Sequence, residues 1–302
     1  MLARSREDKV FDAVNITLLS ILTLLVAYPL YFVVIASFSG PAAVNFGEVL
    51  LLPKDINFTG YSFVFKDKSL WHGYMVTIVL TLVGTAVNLA LTFTGAYALT
   101  KTALPGIRVL MFLITFTMFF GGGMVPTYIL VSSLHLRNTL WAMILPGAVS
   151  VYNLILVRTY YMKSIPEEIM DAARIDGCSD FKLFLRIALP LSAPIIATMA
   201  LFYGVGHWNQ FFAALIYISD KNLFPLQLVL RNMLLASKTA MTDMIQGGAM
   251  TGDNARYLSE LMQRAEILKY AVIIVSTLPI LMVYPFLQKY FMRGIMAGSL
   301  KG

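Results

Sequence analysis

The residues that most often carry metal or redox chemistry are few in this sequence and lie far apart. His72, His135 and His207 fall in separate segments, and their spacing is not that of metal ligands. Cys178 is the single cysteine, so no internal disulfide can form, and the simplest interpretation is a small, unreactive thiol. The sequence therefore predicts no metal site and no disulfide framework.

A nucleotide site is not indicated either. Gly247 and Gly252 have the spacing of a phosphate-binding loop, but Asp253 and Asn254 stand where Lys and Ser or Thr are required. The long apolar runs hold no pair of carboxylates that could relay protons across a membrane. We therefore expect a protein that catalyses no covalent reaction and does not itself bind ATP or another cofactor.

Polar and aromatic residues at the end of one apolar run, and inside two others, have the chemistry of sugar contacts. Trp208 offers a stacking ring beside His207, and the side-chain amides near it can bind hydroxyl groups. The alternatives are an interfacial anchor for the Trp and hydrogen bonds between helices for the amides. The candidate substrate path consists of Asn88, Tyr152, Asn153, Trp208, Asn209 and Gln210.

The composition indicates which elements must position these residues. Of the 302 residues, 58% are hydrophobic and 13% are charged, and the mean hydropathy is +0.75. A soluble domain needs more polar surface than this. Lipid offers no partner to backbone N–H and C=O groups, so long apolar runs must be helical. The sequence predicts an all-α integral membrane protein.

Six apolar runs are long enough to cross a bilayer as helices. They lie at about 14–36, 75–99, 108–131, 139–161, 190–216 and 267–288, within a single transmembrane domain over 14–302. Basic residues precede the first run, as in a secretory signal, but the run is too long and lacks a cleavage pattern. We expect a retained anchor there, after a cytoplasmic N-terminus at 1–13.

The distribution of Lys and Arg favours a topology with both termini inside the cell. This topology places an ordered loop at 37–73 and a longer loop at 217–266 outside. It places the 162–189 loop and the tail at 289–302 in the cytoplasm. The net charge of +7 is then explained by the Lys and Arg residues that orient the protein in the membrane. Nucleic-acid binding is not expected.

Three glycines and a proline interrupt the outer part of the third run, in "FFGGGMVP" at 119–126. A kink or a close helix contact is the simpler explanation. The alternative is an unwound piece that lines a cavity, because irregular backbone in a membrane is tolerated where protein or water covers it.

The 162–189 loop carries a dense set of charges between two apolar runs. Ser164 and Glu167 have the spacing of a capping box, with Pro166 in the first turn of the predicted helix. The helix should place Ile165, Ile169, Ala172 and Asp176 on one face with Ala173 beside it. Gly177 should end that helix, Ser179 should cap a second amphipathic helix, and Pro190 should introduce the fifth span.

The order of residues in this loop resembles the EAA loop of ABC importer permeases. The sequence has Asp171-Ala172-Ala173, then Gly177, then "IALP" ending at Pro190, at the spacing of that motif. One departure is Asp171, which stands where the family has glutamate. Further stretches, "MFFGGGMVPTY", "NTLWAMILPGAVSVYN", "HWNQFF" and "FLQKYFMRGIMAGSLKG", are similar to the MalG-like carbohydrate family, and most of all to its LplC/YtcP-type polysaccharide permeases.

The resemblance implies roles for both cytoplasmic segments. The EAA loop of the family forms a coupling helix that sits in a cleft of the ATPase subunit. The residues that would carry this role are Glu167, Asp171, Ala172, Ala173, Asp176, Gly177, Phe181, Leu189 and Pro190. The tail of MalG-type subunits reaches the ATPase dimer interface, which assigns this position to Gly294, Gly298, Lys301 and Gly302.

The resemblance also implies the partners. They are a second homologous permease subunit, an ATPase dimer that holds ATP and Mg²⁺, an extracytoplasmic solute-binding protein and an oligosaccharide, at a bacterial cytoplasmic membrane. The outer loop before the last span would insert its 244–254 tip into the binding protein. Basic outer-loop residues hint at acidic sugars such as uronates, although nearby acids offset them: Lys221, Arg231, Lys238, Arg256 and Arg264. A peptide or polyamine importer, or a membrane assembly protein without transport activity, are the alternatives.

Overall fold

The computed structural model describes residues 6–101, 104–246 and 268–285. All regular secondary structure within these ranges is helical, which agrees with the predicted all-α class. The chain divides into two compact units, Met1–Lys68 with Leu230–Leu278, and Ser69–Val229 with Pro279–Gly302.

The first unit contains a long apolar helix and the ordered loop that follows it. Helix α1 spans Arg6–Ser37, and the short helices α2 (Pro41–Asn45) and α3 (Thr59–Lys66) lie in the loop. The loop folds back on α1, because Tyr28 and Tyr31 donate hydrogen bonds to the carbonyls of Leu50 and Leu51. The expected order of the 37–73 loop is confirmed for its part in this unit.

Aromatic and apolar contacts consolidate this loop. The ring of Phe38 stacks on Tyr61 at 5.4 Å, and the Tyr61 hydroxyl hydrogen-bonds the Ser37 hydroxyl at 2.8 Å. A small buried cluster of Ile35, Ala43 and Val49 lies beneath. Burial of apolar side chains thus fixes a loop that has few regular elements of its own.

The second unit is built around helix α4, Lys68–Ala98, which carries buried residues along its length. Two buried clusters pack against it: one includes Phe93, Tyr161 and Tyr203, and the other includes Leu80, Met143 and Leu228. The remaining helices are α5 (Ile107–Phe119), α6 (Met124–Ser133), α7 (Trp141–Ile144), α8 (Val151–Ser164), α9 (Glu167–Ile175), α10 (Asp180–Leu183), α11 (Leu189–Leu191), α12 (Ala193–Trp208), α13 (Phe212–Tyr217), α14 (Leu226–Gln246, which continues into the first unit) and α15 (Leu268–Pro285, which begins there).

Three helices of the described ranges are long and apolar enough to cross a membrane: Glu7–Ser37, Lys68–Ala98 and Leu268–Pro285. Three helix pairs also qualify when each is taken as one bent span, which raises the number to six. These pairs fall on the third, fourth and fifth predicted runs. Each of these three runs is therefore divided into two helices, and the glycines and proline at 119–126 indicated an interruption in the third.

The bends are large, and the one in the third run has a local cause. The third run bends by 112° between α5 and α6, where Phe120–Gly123 are not helical and Gly123 has φ of +87°. A φ in this region favours glycine, so the sequence "GGG" marks an unwound segment rather than the expected simple kink. The fourth run bends by 55° between Gly147 and Val151, and the fifth bends by 81° at Ser192.

Candidate functional site

The loop at 162–189 folds into a helix, an elbow and a second helical segment, as predicted, but its first cap differs from the prediction. Helix α8 continues through Ser164, so the Ser164 hydroxyl lies at the end of one helix and not at the start of the next. Pro166 occupies the N-cap position of α9 and no side chain caps this end. The predicted capping box is therefore wrong, because α8 runs three residues past the point where its apolar pattern ends.

Gly177 forms the elbow in the way that its residue type predicts. Its φ is +79°, and a Cβ built there meets nothing within 4 Å, so backbone conformation alone demands glycine. The N–H of Gly177 bonds the carbonyl of Arg174, and the N–H of Cys178 bonds that of Ala173, both at 3.0 Å. These two bonds are the Schellman arrangement, which satisfies the end of α9 without a side chain.

Helix α9 presents apolar side chains to the outside. Ile175 is 87% exposed, and Ile169 and Ala172 are also exposed, whereas Met170 and Ala173 face the protein and are half-buried. The predicted single face that includes Ile165 is wrong, since Ile165 precedes α9 and packs inward. These exposed apolar side chains make the outer side of α9 a candidate interaction surface.

Two ion pairs involve Asp171, Arg174 and Asp180 of the loop. Asp171 pairs with Arg174 at 2.7 Å within α9, so the acid that replaces the family glutamate is engaged by its own helix. Asp180 accepts a hydrogen bond from Lys101 at 2.6 Å, and this bond lowers the pKa of Asp180 below its usual value. Lys101 also lies over the ring of Tyr97, 4.8 Å from its centroid. The pair ties the start of α10 to the segment after α4.

The second helical segment does not lead directly into the fifth span. Residues Phe184–Ala188 form a π-helical turn between α10 and α11, and Pro190 lies inside α11. The bend comes two residues later at Ser192, whose hydroxyl bonds the carbonyl of Ala188 at 2.6 Å. Helix α12 begins after the bend, at Ala193, and the start of the fifth span at Pro190 stays a prediction. Ser179 is the N-cap residue of α10 as predicted, but its hydroxyl makes no capping hydrogen bond.

The remaining members of the predicted coupling set also have defined positions. Phe181 is 69% exposed on α10, close in sequence to the elbow, and Glu167, Asp176 and Pro190 are exposed. Leu189 packs inward against the cluster around Phe93 and Tyr161. A cavity of about 270 Å³ lies behind α9, between Glu167, Met170 and Arg174 on one side and Tyr97 and Lys101 on the other.

The candidate substrate residues do not form one constellation. Asn88 is 1% exposed, and its amide nitrogen donates to the carbonyls of Gly147 and Ala148 at 3.0 and 2.8 Å. Its oxygen lies 2.7 Å from Nε2 of His207. Because an amide oxygen only accepts, Nε2 of His207 is the donor in this contact. Asn88 therefore connects helices, which is the alternative that the sequence left open.

The other candidates divide into exposed and internally bonded residues. Tyr152, which is 56% exposed, and Asn209 present their side chains outward. The Gln210 amide donates to the carbonyl of Met143 at 2.9 Å, and Trp208 is buried near the ring of Tyr74. Asn153 is buried in the first turn of α8, where its N–H bonds the Ser150 hydroxyl.

A further pair of buried polar residues, Thr92 and Tyr203, has no signal in the sequence. The hydroxyls of Thr92 and Tyr203 are 2.7 Å apart and buried, and Tyr203 also accepts from the N–H of Ser150. No local pattern marks either residue, because the bond joins positions 111 residues apart. The predicted tail residues Gly294, Gly298, Lys301 and Gly302, and most of the 244–254 tip, lie outside the described residues. Within the described residues, no group of His, Cys, Asp or Glu is arranged to hold a metal ion.

Comparison with known proteins gives this geometry a context. Residues 96–297 match the family described as "Binding-protein-dependent transport system inner membrane component". The chain is 41% identical to Protein LplC of Bacillus subtilis over 298 residues, which cover 99% of this chain and 97% of LplC. It is 36% identical to the Polygalacturonan/rhamnogalacturonan transport system permease protein YtcP of Bacillus subtilis, covering 98% and 100% of the two chains.

A solved structure resembles the fold over almost its whole length. It is a bacterial ABC transporter involved in the import of the acidic polysaccharide alginate, with a TM-score of 0.81 and 34% sequence identity over 96% of this chain and 100% of that chain. The family match covers two thirds of the chain and includes the whole 162–189 loop. The chain belongs to the binding-protein-dependent transport family of inner membrane components, and is a permease, a non-catalytic membrane subunit of an ABC transporter.

Proposed function

We propose that this permease is one of two homologous membrane subunits of an ATP-driven importer that moves acidic oligosaccharides from an external binding protein into the cytoplasm. The observation that carries the proposal is similarity over nearly the full chain to YtcP and to the alginate transporter, whose described substrates are both polymers of uronic acids or contain them. Because these matches extend across all apolar runs, they include the parts of the chain that would line a transport path.

The proposed topology has six spans with both termini in the cytoplasm. Three continuous helices and three bent pairs supply the spans, and the 162–189 loop is then cytoplasmic. In support, the 162–189 loop is rich in charged residues, whereas the apolar runs before and after it contain few. A soluble ATPase could reach this surface.

We assign the coupling role to α9, the elbow and α10. Ile169, Ala172 and Ile175 offer an apolar, low-relief surface that a cleft could enclose. In support, the Schellman bonds order the elbow, and the Lys101–Asp180 pair links the start of α10 to the segment after α4. A firm loop transmits displacement because its position relative to α4 is fixed by several contacts at once.

The assignments beyond the coupling loop rest on the family alone. The tail residues would contact the ATPase dimer, and the outer tip would contact the binding protein. Within the substrate path, Tyr152 and Asn209 are the best candidates for sugar contact, since their side chains are exposed. The polar atoms of Asn88 and Gln210 are engaged with other helices.

Reconstitution of the complete transporter tests the proposal. The permease pair, its ATPase and its binding protein are placed in proteoliposomes, and ATP hydrolysis is measured with oligogalacturonates, alginate oligosaccharides, neutral oligosaccharides and a peptide mixture. We expect stimulation by at least one uronate-containing sugar. Stimulation by the peptides and by none of the sugars would contradict the substrate class, and absence of any co-purifying ATPase would contradict the transporter assignment.

A further inference from the structure

The fourth apolar run is interrupted between Gly147 and Val151, and side chains from two other helices satisfy the interruption. The carbonyls of Gly147 and Ala148 accept hydrogen bonds from the amide of Asn88 on α4. The N–H of Ser150 donates to the hydroxyl of Tyr203 on α12 at 3.3 Å. These side chains replace the backbone partners that a continuous helix would have supplied.

Asn88 and Tyr203 each also bond a partner side chain on the other of these two helices, α4 and α12. Asn88 meets His207 at 2.7 Å, and Thr92 meets Tyr203 at 2.7 Å. Both ties are separated by four residues on each helix, so they lie one turn apart along two antiparallel helices. All four side chains are less than a tenth exposed. We call Asn88, Thr92, Tyr203 and His207 the break clamp.

Close packing holds the helices at this distance. A Cβ at Gly84, one turn from Asn88, would lie 2.5 Å from Nε2 of His207. Only glycine lets the imidazole ring lie against α4 at that height. The position of the His207 ring against Gly84 and its hydrogen bond to Asn88 therefore depend on each other.

Helix α8, which follows the break, and helix α12, which carries two of the clamp residues, both connect to the 162–189 loop. Helix α8 passes into α9 through Ile165 and Pro166, and α12 is reached from α10 through the π-helical turn and the bend at Ser192. The elbow at Gly177 lies between these two routes. A movement of the loop is thus delivered to α8 directly and to α12 through its own helical segment.

We propose that the break clamp makes the Gly147–Ser150 break follow α12, so that movement of the coupling loop bends the fourth run in its middle and redirects Tyr152. Tyr203 and Asn88 act as positioning residues, and Tyr152, in the first turn after the break, is the side chain that they redirect. Breaking one of these buried hydrogen bonds would leave a carbonyl or N–H without a partner in an apolar interior, which costs free energy. The clamp therefore moves as a unit and does not stretch. The inference rests on the proposed function, since it requires an ATPase to move the loop.

The test uses a probe at the break in the complete transporter. Tyr152→Cys is introduced with Cys178→Ser, and the rate of labelling by a membrane-impermeant maleimide is measured in nanodiscs, without nucleotide and with ATP plus vanadate. We expect the two rates to differ in this parent chain. Tyr203→Phe and Thr92→Val each remove one hydroxyl of the Thr92–Tyr203 bond. In each variant the ratio of the faster labelling rate to the slower one should fall towards one, by about five-fold, the equivalent of about 1 kcal/mol.

Thr94→Val is the matched control. Thr94 is on the same helix, is exposed and bonds only carbonyls of its own helix, so its variant should keep the parent ratio. A parent ratio of one, or clamp variants that keep the parent ratio, would overturn the inference. So would variants in which both rates rise alike and the yield of complex falls, which is the result of a purely structural role. Absence of a co-purifying ATPase would overturn the proposed function along with it, whereas normal ATPase binding with an unchanged ratio would overturn only the clamp.

Discussion

Gly177 is the residue whose type is most directly explained by its conformation. Its φ of +79° and the empty space around it mean that side chains are excluded by backbone strain and not by a neighbour. The sequence could predict this elbow because a glycine after an amphipathic helix is a local signal. It could not predict that Ser164 would fail to cap, since the length of α8 depends on packing with other helices.

We predict that Gly177→Val weakens ATPase docking while the membrane part stays folded. A β-branched residue at this φ costs about 1–2 kcal/mol, and the elbow would relax by moving α9 or α10. Co-purification of the ATPase with the permease should fall several-fold. The control is Gly47→Val, because Gly47 has φ of +71° and equally open surroundings but lies in the loop after α1. Equal loss of ATPase in both variants would contradict the prediction.

At the scale of elements, predicted and observed structure differ most where helices depend on distant side chains. Helix class and the approximate place of the apolar runs follow from composition and from the cost of free backbone groups in lipid. The break in the fourth run does not, because side chains elsewhere in the chain satisfy its backbone groups. Asn88, for example, reaches carbonyls about 60 residues away. A polar residue in an apolar run indicates that a hydrogen-bond partner exists, but the sequence does not show which residue it is.

Helix α9 should tolerate change on its outer side without loss of the fold. Ile175 is 87% exposed, so Ile175→Glu removes no buried contact, and the thermal stability of the purified permease should change by less than about 0.5 kcal/mol. The same change places a charge on the proposed docking surface and should reduce ATPase co-purification about ten-fold.

A matched control for this surface is Ile56→Glu. Ile56 is 68% exposed in the loop after α1, so its substitution alters an apolar side chain of the same type. ATPase binding should be retained in this variant. Retention in both variants would show that α9 is not the docking element.

At the scale of the whole transporter, the proposed substrate class makes charge the property to vary. Methyl esterification of oligogalacturonate removes the carboxylate charges and leaves the sugar chain nearly the same size. We predict that the half-saturating concentration for stimulation of ATP hydrolysis rises at least about ten-fold on esterification, which corresponds to about 1.4 kcal/mol. Measurements with excess binding protein and at two ionic strengths check this, since a charge effect weakens with salt. Equal stimulation by ester and free acid would favour a neutral sugar substrate.

The π-helical turn at Phe184–Ala188 sets the direction in which the proposed coupling residue Phe181 points around the helix axis. Such a turn holds more residues than an α-helical turn, so the side chains before it are rotated relative to those after it. An α-helix advances about 100° per residue, and loss of a single residue from the turn would swing Phe181 around the helix axis by about that angle. Every chemical group would be kept, yet the surface would face another direction. The direction in which this surface faces therefore depends on the number of residues in one turn. An insertion or deletion there would rotate the surface without changing any of its side chains.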